Sequence, residues 1–180
     1  FVFTSDNGAD WNPRDIATFE HLANGPWRGR KADIWEGGHR IPFIARWPGH
    51  IPSDTVSHEL GSLTDLMATA AAITQFKLPP TAGVDSFNLL PALLGRNKVP
   101  VRDAVVAESI DRMLSIRQGH WKLEEGLGSG GFSMPKKVEP ESGGPKGQLY
   151  NIDVDPGELY NVYQEHPEVV QRLTALLEKY

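Results

Sequence analysis

The stretch Phe1-Val2-Phe3-Thr4-Ser5-Asp6-Asn7-Gly8 opens the sequence and decides how its first part folds. Phe1–Thr4 is an apolar run of residues that favour strands, and Asp6-Asn7-Gly8 is a strong turn signal. We therefore predict a buried strand that ends in a tight turn. Because the run has no lead-in, we expect the chain to begin inside a sheet. In open α/β sheets, ligands bind beyond the carboxyl ends of strands, which makes the turn a candidate site.

Further along, the hydrophobic pattern predicts one more buried strand, three helices and four short strands. Residues 9–40 are loop-like, and a loop of this length in a compact domain is often functional. Residues 126–147 are rich in Gly, Pro, Ser and Lys, and we predict a mobile excursion there. The other predicted elements are strands at Ile41–Trp47, Ala104–Glu108, Met113–Arg117, Trp121–Leu123 and Gln148–Asn151, and helices from the Ser62–Asp65 capping box, over Ser86–Leu94 and from Pro167 onward.

The order of these elements favours an α/β fold. The first part suits an α/β layer, and the last part suits a small antiparallel sheet covered by a helix.

The composition excludes several classes of function. The chain carries 18 Lys and Arg against 23 Asp and Glu, for a net charge of −5, and has no basic stripe, so we expect no nucleic-acid partner. No apolar run approaches the roughly 18 residues of a transmembrane helix, and no signal peptide is visible, so we expect no membrane partner. The absence of cysteine excludes a disulfide framework, a cysteine nucleophile and thiolate metal ligands from these residues.

Asp6 and Asn7 are candidate metal ligands. Both side chains offer hard oxygen donors, which suit calcium or magnesium better than zinc. The alternative is a turn in which the two side chains only bond their own backbone.

Lys31 is a candidate anion-binding residue. It follows Arg28 and Arg30 in a stretch with aromatic neighbours, where a lysine acts as a compact point charge and an arginine as a planar fork. The alternative is a solvated loop. Gly37 and Gly38 follow, and they suggest a place where the backbone tolerates no side chain.

The sequence contains no nucleophile motif. None of the six histidines has a partner at zinc-ligand spacing, and neither a Gly-x-Ser-x-Gly elbow nor a P-loop occurs. His39 borders the Gly37-Gly38 pair, and we interpret it as a structural histidine. The residues thus supply a metal pair and an anion grip but nothing that attacks a substrate.

A series of short motifs occurs along the chain in a fixed order. The motifs are Phe3–Gly8, Arg28–Lys31, Trp35–Pro42, Arg46–Gly49, Leu63–Thr69, Gly83–Ser86, Leu89–Pro91, Arg117–Leu123 and Leu149–Glu158. Taken together they resemble the C-terminal portion of a type I sulfatase, one of the formylglycine-dependent, calcium-dependent enzymes of the alkaline-phosphatase superfamily. The resemblance covers nearly all 180 residues.

This resemblance implies a fold and a set of site residues. The fold is the end of an alkaline-phosphatase-like mixed sheet plus a small C-terminal antiparallel sheet covered by a helix. Residues 1–100 would be the C-terminal part of the α/β domain, and residues 101–180 a small α+β subdomain. Asp6 and Asn7 would be ligands of Ca²⁺, with Mg²⁺ less favoured, and Lys31 would bind the sulfate group. Trp35 stands where tyrosine is usual, and His39 receives no catalytic role.

The resemblance also implies that part of the active site lies outside these residues. The formylglycine nucleophile of the family comes from a Cys/Ser-x-Pro-x-Arg motif in the N-terminal part, so we expect 180 residues to be less than a complete catalytic unit and this chain alone to be inactive. The implied partners are a sulfate-ester substrate, carbohydrate or aryl, and the missing N-terminal part of the same enzyme. The resemblance favours a periplasmic or secreted location. The alternatives are a phosphate or phosphonate ester hydrolase of the same superfamily and a non-catalytic fragment or binding module.

Overall fold

The computed structural model describes all 180 residues, Phe1–Tyr180. The chain divides into two compact units, one formed by Phe1–Thr4 with Phe43–Val105 and the other by Ser5–Pro42 with Val106–Tyr180. The division at residue 100 that the sequence suggested concerns the domains of a longer protein, and it stays a prediction. In chain order the elements are β1 (Val2–Thr4), α1 (Pro13–Phe19), α2 (Glu36–His39), β2 (Phe43–Ala45), α3 (Asp65–Thr74), α4 (Leu90–Leu93), β3 (Val105–Glu108), β4 (Leu114–Gln118), β5 (Trp121–Glu124), β6 (Gln148–Asn151) and α5 (Pro167–Leu177).

The first unit contains a two-stranded antiparallel sheet. β1 pairs with β2 so that Phe3 lies opposite Ile44. The prediction that these strands are buried is wrong for this chain, because the side chains of Phe1, Phe3 and Ile44 are 83%, 54% and 59% exposed. A two-stranded ribbon has no second layer of its own that could cover its apolar side chains.

A buried ion pair joins separate segments of the rest of the first unit. The Asp65 carboxylate, at the start of α3, receives two hydrogen bonds of 2.9 Å from Arg102 and others from the amides of Ser62 and Phe87. The bond from the Ser62 amide is half of the predicted capping box, although the cap residue Thr64 makes no side-chain bond to the helix. The predicted helix over Ser86–Leu94 shortens to the single turn α4.

The second unit contains two helices in the region predicted to be a loop. Asn12 caps α1, since its side chain accepts hydrogen bonds from the Arg14 and Asp15 amides, and Pro13 occupies the first helical position. The other helix, α2, is a single turn that includes Gly37 and Gly38. The sequence signals were present at Asn12 and Pro13, but no apolar stripe accompanies them, because no residue of α1 is buried.

The predicted meander and last helix are confirmed. The sheet order is β3-β4-β5-β6, and both β4–β5 and β5–β6 are antiparallel. Ile116, Leu123 and Leu149 are buried on this sheet. Helix α5 begins at Pro167 and packs against β4 and β5 through its buried face, which includes Leu173.

Residues 126–147, predicted to be a mobile excursion, are partly packed into the fold. Gly128, Ser129, Gly130 and Gly131 are buried, and a bridge joins Leu127 to Val138. This run packs onto the loop that carries Lys31.

None of the helices is long and apolar enough to cross a membrane.

Candidate active site

The predicted turn at Asp6–Gly8 sits directly on the single turn α2. The Gly8 amide donates a hydrogen bond of 2.9 Å to the Gly38 carbonyl. A Cβ atom on Gly8 would lie only 1.8 Å from the Gly37 oxygen. Only glycine allows the two backbones to approach this closely, so the turn has one position relative to α2.

The close approach continues on the other side of α2. The Gly37 amide donates a hydrogen bond of 2.7 Å to the Arg28 carbonyl, and a Cβ on Gly37 would lie 2.4 Å from the Gly29 oxygen. A Cβ on Gly38 would lie 2.1 Å from the Asp33 oxygen. Three backbone segments therefore meet with no side chain between them, which gives the Gly37-Gly38 pair the role that the sequence indicated.

Lys31 lies on the same frame. Its amide donates a hydrogen bond of 3.2 Å to the carbonyl of Ala9, the residue after the turn. Asn24 strengthens this junction, because its side chain bonds both the amide and the carbonyl of Ala9 and also the carbonyl of Gly29. The structure thus brings the Asp6–Gly8 turn and Lys31 into one region. Sequence reasoning missed Asn24, although Asn24-Gly25 carries a turn signal.

The three candidate side chains are open to solvent or partly so. Asp6 is exposed, and the neighbour of its carboxylate is the Ser5 hydroxyl at 3.5 Å. Asn7 is half-buried and donates from Nδ2 to the Gly8 carbonyl at 3.0 Å, which leaves its oxygen as an acceptor. Lys31 is exposed, and its ammonium forms no ion pair.

The donor chemistry of the turn fits a hard divalent cation, but two residues do not complete a coordination shell. A carboxylate and an amide oxygen are donors that calcium and magnesium accept, and calcium takes six to eight of them. The structure contains no group of three or more His, Asp or Glu side chains that could hold a metal ion. The assignment of Asp6 and Asn7 as ligands therefore stays a prediction.

Asp33 supports the Lys31 loop from beneath. Its side chain is fully buried and accepts hydrogen bonds from the amides of Arg30, Phe132 and Ser133 at 2.9, 2.7 and 2.9 Å. The first of these contacts closes the loop around Lys31. The other two fasten the glycine-rich run 128–133 to that loop, which is the reason that this run is packed rather than detached.

Two tryptophans of the loop, Trp27 and Trp35, pack under arginines. The Arg28 guanidinium lies 3.5 Å from the ring centroid of Trp35, and that of Arg40 lies 3.7 Å from the centroid of Trp27. Trp35 is buried, and its indole NH donates to Gln148. These rings therefore hold the loop in place through cation–π contacts.

A buried charge cluster lies behind α2, which the sequence did not reveal. It consists of Glu36, Lys122, Glu124 and Glu158, all nearly inaccessible to solvent. The Lys122 ammonium lies 2.7 Å from Glu158, 3.2 Å from Glu124 and 3.5 Å from Glu36. Glu36 also receives hydrogen bonds from Arg40 at 2.7 Å and Arg117 at 3.1 Å.

The protonation states of the charge cluster follow from these neighbours. Burial acts to raise the pKa of Glu36, but the charges of Lys122, Arg117 and Arg40 outweigh it and lower that pKa from 4.5 to about 2. Burial also acts to lower the pKa of Lys122, but the surrounding carboxylates raise it. Burial and the Glu158 charge raise the pKa of Glu124 well above 4.5. Near neutral pH, Glu36 and Lys122 therefore carry their charges.

His39 has no hydrogen bond at Nε2, and that atom is buried. Burial and the Lys122 charge lower the pKa of His39 from 6.5 to about 4, against the opposing charges of Glu36 and Asp33. The neutral imidazole is therefore the form that the folded protein holds at neutral pH.

Comparison with known proteins shows a similarity to sulfatases. Residues 1–76 match the family model described as Sulfatase. The chain is 37% identical to an N-acetylgalactosamine-6-O-sulfatase of Bacteroides thetaiotaomicron over 98% of its length, and 33% identical to human arylsulfatase A over 97%.

A solved structure agrees with these relatives. This structure is described in connection with the metabolism of multiple glycosaminoglycans by Bacteroides thetaiotaomicron. It superposes on 99% of the chain, with a TM-score of 0.81 and 34% identity. The chain spans 35%, 36% and 38% of the lengths of these three proteins, in the order given. The similarity extends over nearly the whole chain in both sequence and fold. The family that the chain resembles is therefore the sulfatases, and the chain corresponds to part of such a protein.

Proposed function

We propose that the protein containing this chain hydrolyses sulfate esters to an alcohol and sulfate. In this proposal Asp6 and Asn7 are ligands of a divalent cation and Lys31 binds the sulfate group. The observation that supports it best is the hydrogen bond from the Lys31 amide to the Ala9 carbonyl, because it ties the anion-binding residue to the turn with the oxygen donors.

Lys31 would act through its charge. Within this chain its ammonium is exposed and forms no ion pair, so an incoming sulfate does not have to displace a carboxylate of these residues. The sulfate oxygens carry negative charge in the ground state and in the transition state, and a cation held in place neutralises that charge. Asn24 donates to the Gly29 carbonyl, and the Asp33 carboxylate accepts from the Arg30 amide, so the backbone that leads into Lys31 is held in place.

We further propose Ca²⁺ as the cation and formylglycine as the nucleophile, the latter from residues outside this chain. A bound cation supplies polarisation of the sulfate oxygens. Asp6 and Asn7 would hold it with two of the six to eight oxygens that calcium takes, and the remaining ligands would come from the rest of the protein. The rigid seat of the turn on α2 would keep these two oxygens in place.

The substrate that we propose is a sulfated carbohydrate. The bacterial relative is named for 6-O-sulfated N-acetylgalactosamine, and it is more similar to this chain than the human arylsulfatase A is. Aryl sulfate esters remain useful as chromogenic substrates for measuring activity.

The test measures the full-length protein on a matched pair of chromogenic substrates, an aryl sulfate and the corresponding aryl phosphate. We expect the sulfate to be the better substrate and activity to require added calcium. Dominant activity on the phosphate would instead indicate a phosphate or phosphonate ester hydrolase. No turnover of either ester would indicate a non-catalytic binding module.

Variants then test the assigned residues. Lys31→Ala should lower kcat/KM for the sulfate ester by about 10²–10³-fold, the loss expected for one preorganised charge-stabilising group. Lys146→Ala, at another exposed lysine, is the matched control and should keep full activity. Asp6→Asn should raise the calcium concentration needed for half-maximal activity. Wild-type activity and calcium dependence in both site variants would remove these residues from the site.

A further inference from the structure

The charge cluster has a geometry that reaches the backbone of the candidate site. We propose that Glu158 and Lys122 are positioning residues that hold α2, and through it the Asp6–Gly8 turn, in the arrangement needed for binding. The inference rests on the proposed function, since it assigns these two residues to the same site.

The charge cluster contacts the start of α2. The two oxygens of the Glu158 carboxylate accept hydrogen bonds from different donors. Oε2 accepts a hydrogen bond of 2.7 Å from the Glu36 amide, and Oε1 accepts one of 2.7 Å from the Lys122 ammonium. Lys122 in turn donates to the Ile34 carbonyl at 2.8 Å. The pair therefore grips the backbone on both sides of Trp35, at the point where α2 begins.

Helix α2 in turn contacts the Asp6–Gly8 turn. Gly37 and Gly38 directly follow Glu36, and the Gly38 carbonyl accepts from the Gly8 amide at 2.9 Å. The backbone of Gly37 leaves no room for a side chain on Gly8. Because packed backbones cannot slide past each other freely, a displacement of α2 must move the turn with it.

Glu158 also contacts the stretch that leads to Lys31. Arg28 donates from Nη1 to the Glu158 carbonyl at 2.7 Å, so the main chain of Glu158 also anchors the stretch that leads to Lys31. Glu158 itself has a left-handed backbone, with φ of 50°, inside a turn that the Asp155 carboxylate closes by bonding the amides of Leu159 and Tyr160. One residue thus meets both parts of the candidate site.

The cost of the cluster argues for a role beyond stability. Burying charges costs free energy that mutual attraction often only offsets, and an apolar replacement of similar volume is frequently as stable. Here the hydrogen bonds of Glu158 and Lys122 end on main-chain atoms of Ile34 and Glu36, which apolar side chains could not bind. What the cluster adds over an apolar core is therefore the fixed position of that backbone.

Glu158→Gln is the most informative variant because it keeps the shape of the side chain. A glutamine has one oxygen where the carboxylate has two, so its NH₂ group must face either the Glu36 amide or the Lys122 ammonium, and both are donors. Glu139→Gln is the control for the same chemical change at an exposed position. Leu173→Ala is the control for lost stability, since it opens the buried face of α5 in the same unit.

The measurement is hydrogen–deuterium exchange of the metal-free full-length protein at the Gly8 amide, whose bond to Gly38 reports the seat of the turn. We expect exchange about ten times faster in Glu158→Gln than in wild type, with no change in Glu139→Gln. Leu173→Ala should lower the melting temperature and leave Gly8 exchange near the wild-type rate. Wild-type exchange at Gly8 in Glu158→Gln would overturn the inference, and so would equal acceleration in Leu173→Ala at the same loss of melting temperature.

A kinetic measurement on the same variants separates this inference from the proposed function. In Glu158→Gln, kcat/KM for the aryl sulfate should fall by about tenfold or more, while Leu173→Ala assayed well below its melting temperature should stay near wild type. A wild-type protein that hydrolyses no sulfate ester would defeat the proposed function, yet the exchange at Gly8 would still decide whether Glu158 positions the turn.

Discussion

Lys122 and Lys31 have the same side chain in opposite surroundings. Lys122 is buried among three carboxylates and a main-chain carbonyl, and every one of its neighbours belongs to this chain. Lys31 is exposed and has no carboxylate partner, while its backbone is fixed through Ala9 and the adjacent Asp33. The first region uses charge to hold a backbone in place. The second holds its backbone by other means and leaves its charge open for a ligand.

Stability and binding are therefore assigned to different lysines. A charge satisfied inside the fold contributes to one fixed structure but cannot bind anything else. A charge that stays unpaired adds little to folding, and its binding energy remains available for an anion. Removing each charge in turn should therefore give opposite results in stability and activity.

Lys122→Met should have the largest effect. It leaves Glu36 and Glu158 as buried carboxylates without their shared cation, and breaking a buried pair in this way costs about 3–5 kcal/mol. We expect a melting temperature several degrees below that of wild type in the full-length protein, measured by differential scanning calorimetry. A melting temperature equal to that of wild type would mean that the cluster does not hold this region together.

Gly8→Ala should come next, because it attacks the junction between the two regions without changing any charge. The new Cβ would lie 1.8 Å from the Gly37 oxygen, so the turn or α2 must shift. Overpacking of this kind costs about 1–3 kcal/mol. Calcium titration followed by activity should show a higher half-maximal calcium concentration for the variant than for wild type. Gly25→Ala, where a Cβ would meet nothing but the φ is +58°, is the control for backbone strain alone.

Mild acid should destabilise the protein through His39. Its pKa is about 4 in the folded protein and 6.5 ordinarily, so the unfolded chain takes up the proton first and stability falls as the pH drops from 6.5 to about 4. The lowered pKa of Glu36 acts in the same direction, but only from 4.5 down to about 2. The raised pKa of Glu124 has the opposite sign, with stability lost as the pH rises above 4.5.

His39→Gln isolates this contribution. The melting temperature of the variant should fall less than that of wild type between pH 6.5 and pH 5, a range that lies above both the ordinary and the lowered pKa of Glu36. Parallel curves for the two proteins would show that His39 is not the group responsible.

Lys31→Ala should have the smallest effect on stability. The side chain is exposed and unpaired, and substitutions at such positions usually change the free energy of unfolding by no more than about 0.5 kcal/mol. The contrast with Lys122 holds if this variant keeps the wild-type melting temperature while losing activity. A large drop in melting temperature would instead assign Lys31 a structural role.

Much of the small sheet could be predicted from the sequence. The run Gln148–Asn151 forms β6 with the predicted bounds, and Pro167 begins α5 as predicted. These elements have local signals, a run of strand-forming residues or a proline that suits the first helical turn. The strand at Phe1–Thr4 also forms, but its apolar side chains are exposed in this chain, because burial depends on what lies across the sheet rather than on the strand itself.

The candidate site divides in the same way. Asp6, Asn7 and Lys31 could be selected by their residue types and by a resemblance to sulfatases. The charge cluster could not, because Lys122 and Glu158 are separated from Glu36 by 86 and 122 positions, and a single lysine or glutamate in a sequence carries no sign of being buried.

From the sequence came the resemblance to sulfatases and the local elements with strong turn, strand and cap signals. The sequence also determined which residue types stand ready for a cation and an anion. The tertiary structure alone decided where three backbones meet at Gly8, Gly37 and Gly29, and how Glu158 reaches the amide of Glu36. The local signals could be found in the sequence because they depend only on neighbours along the chain. Close backbone approach and the pairing of buried charges depend on segments that only folding brings together.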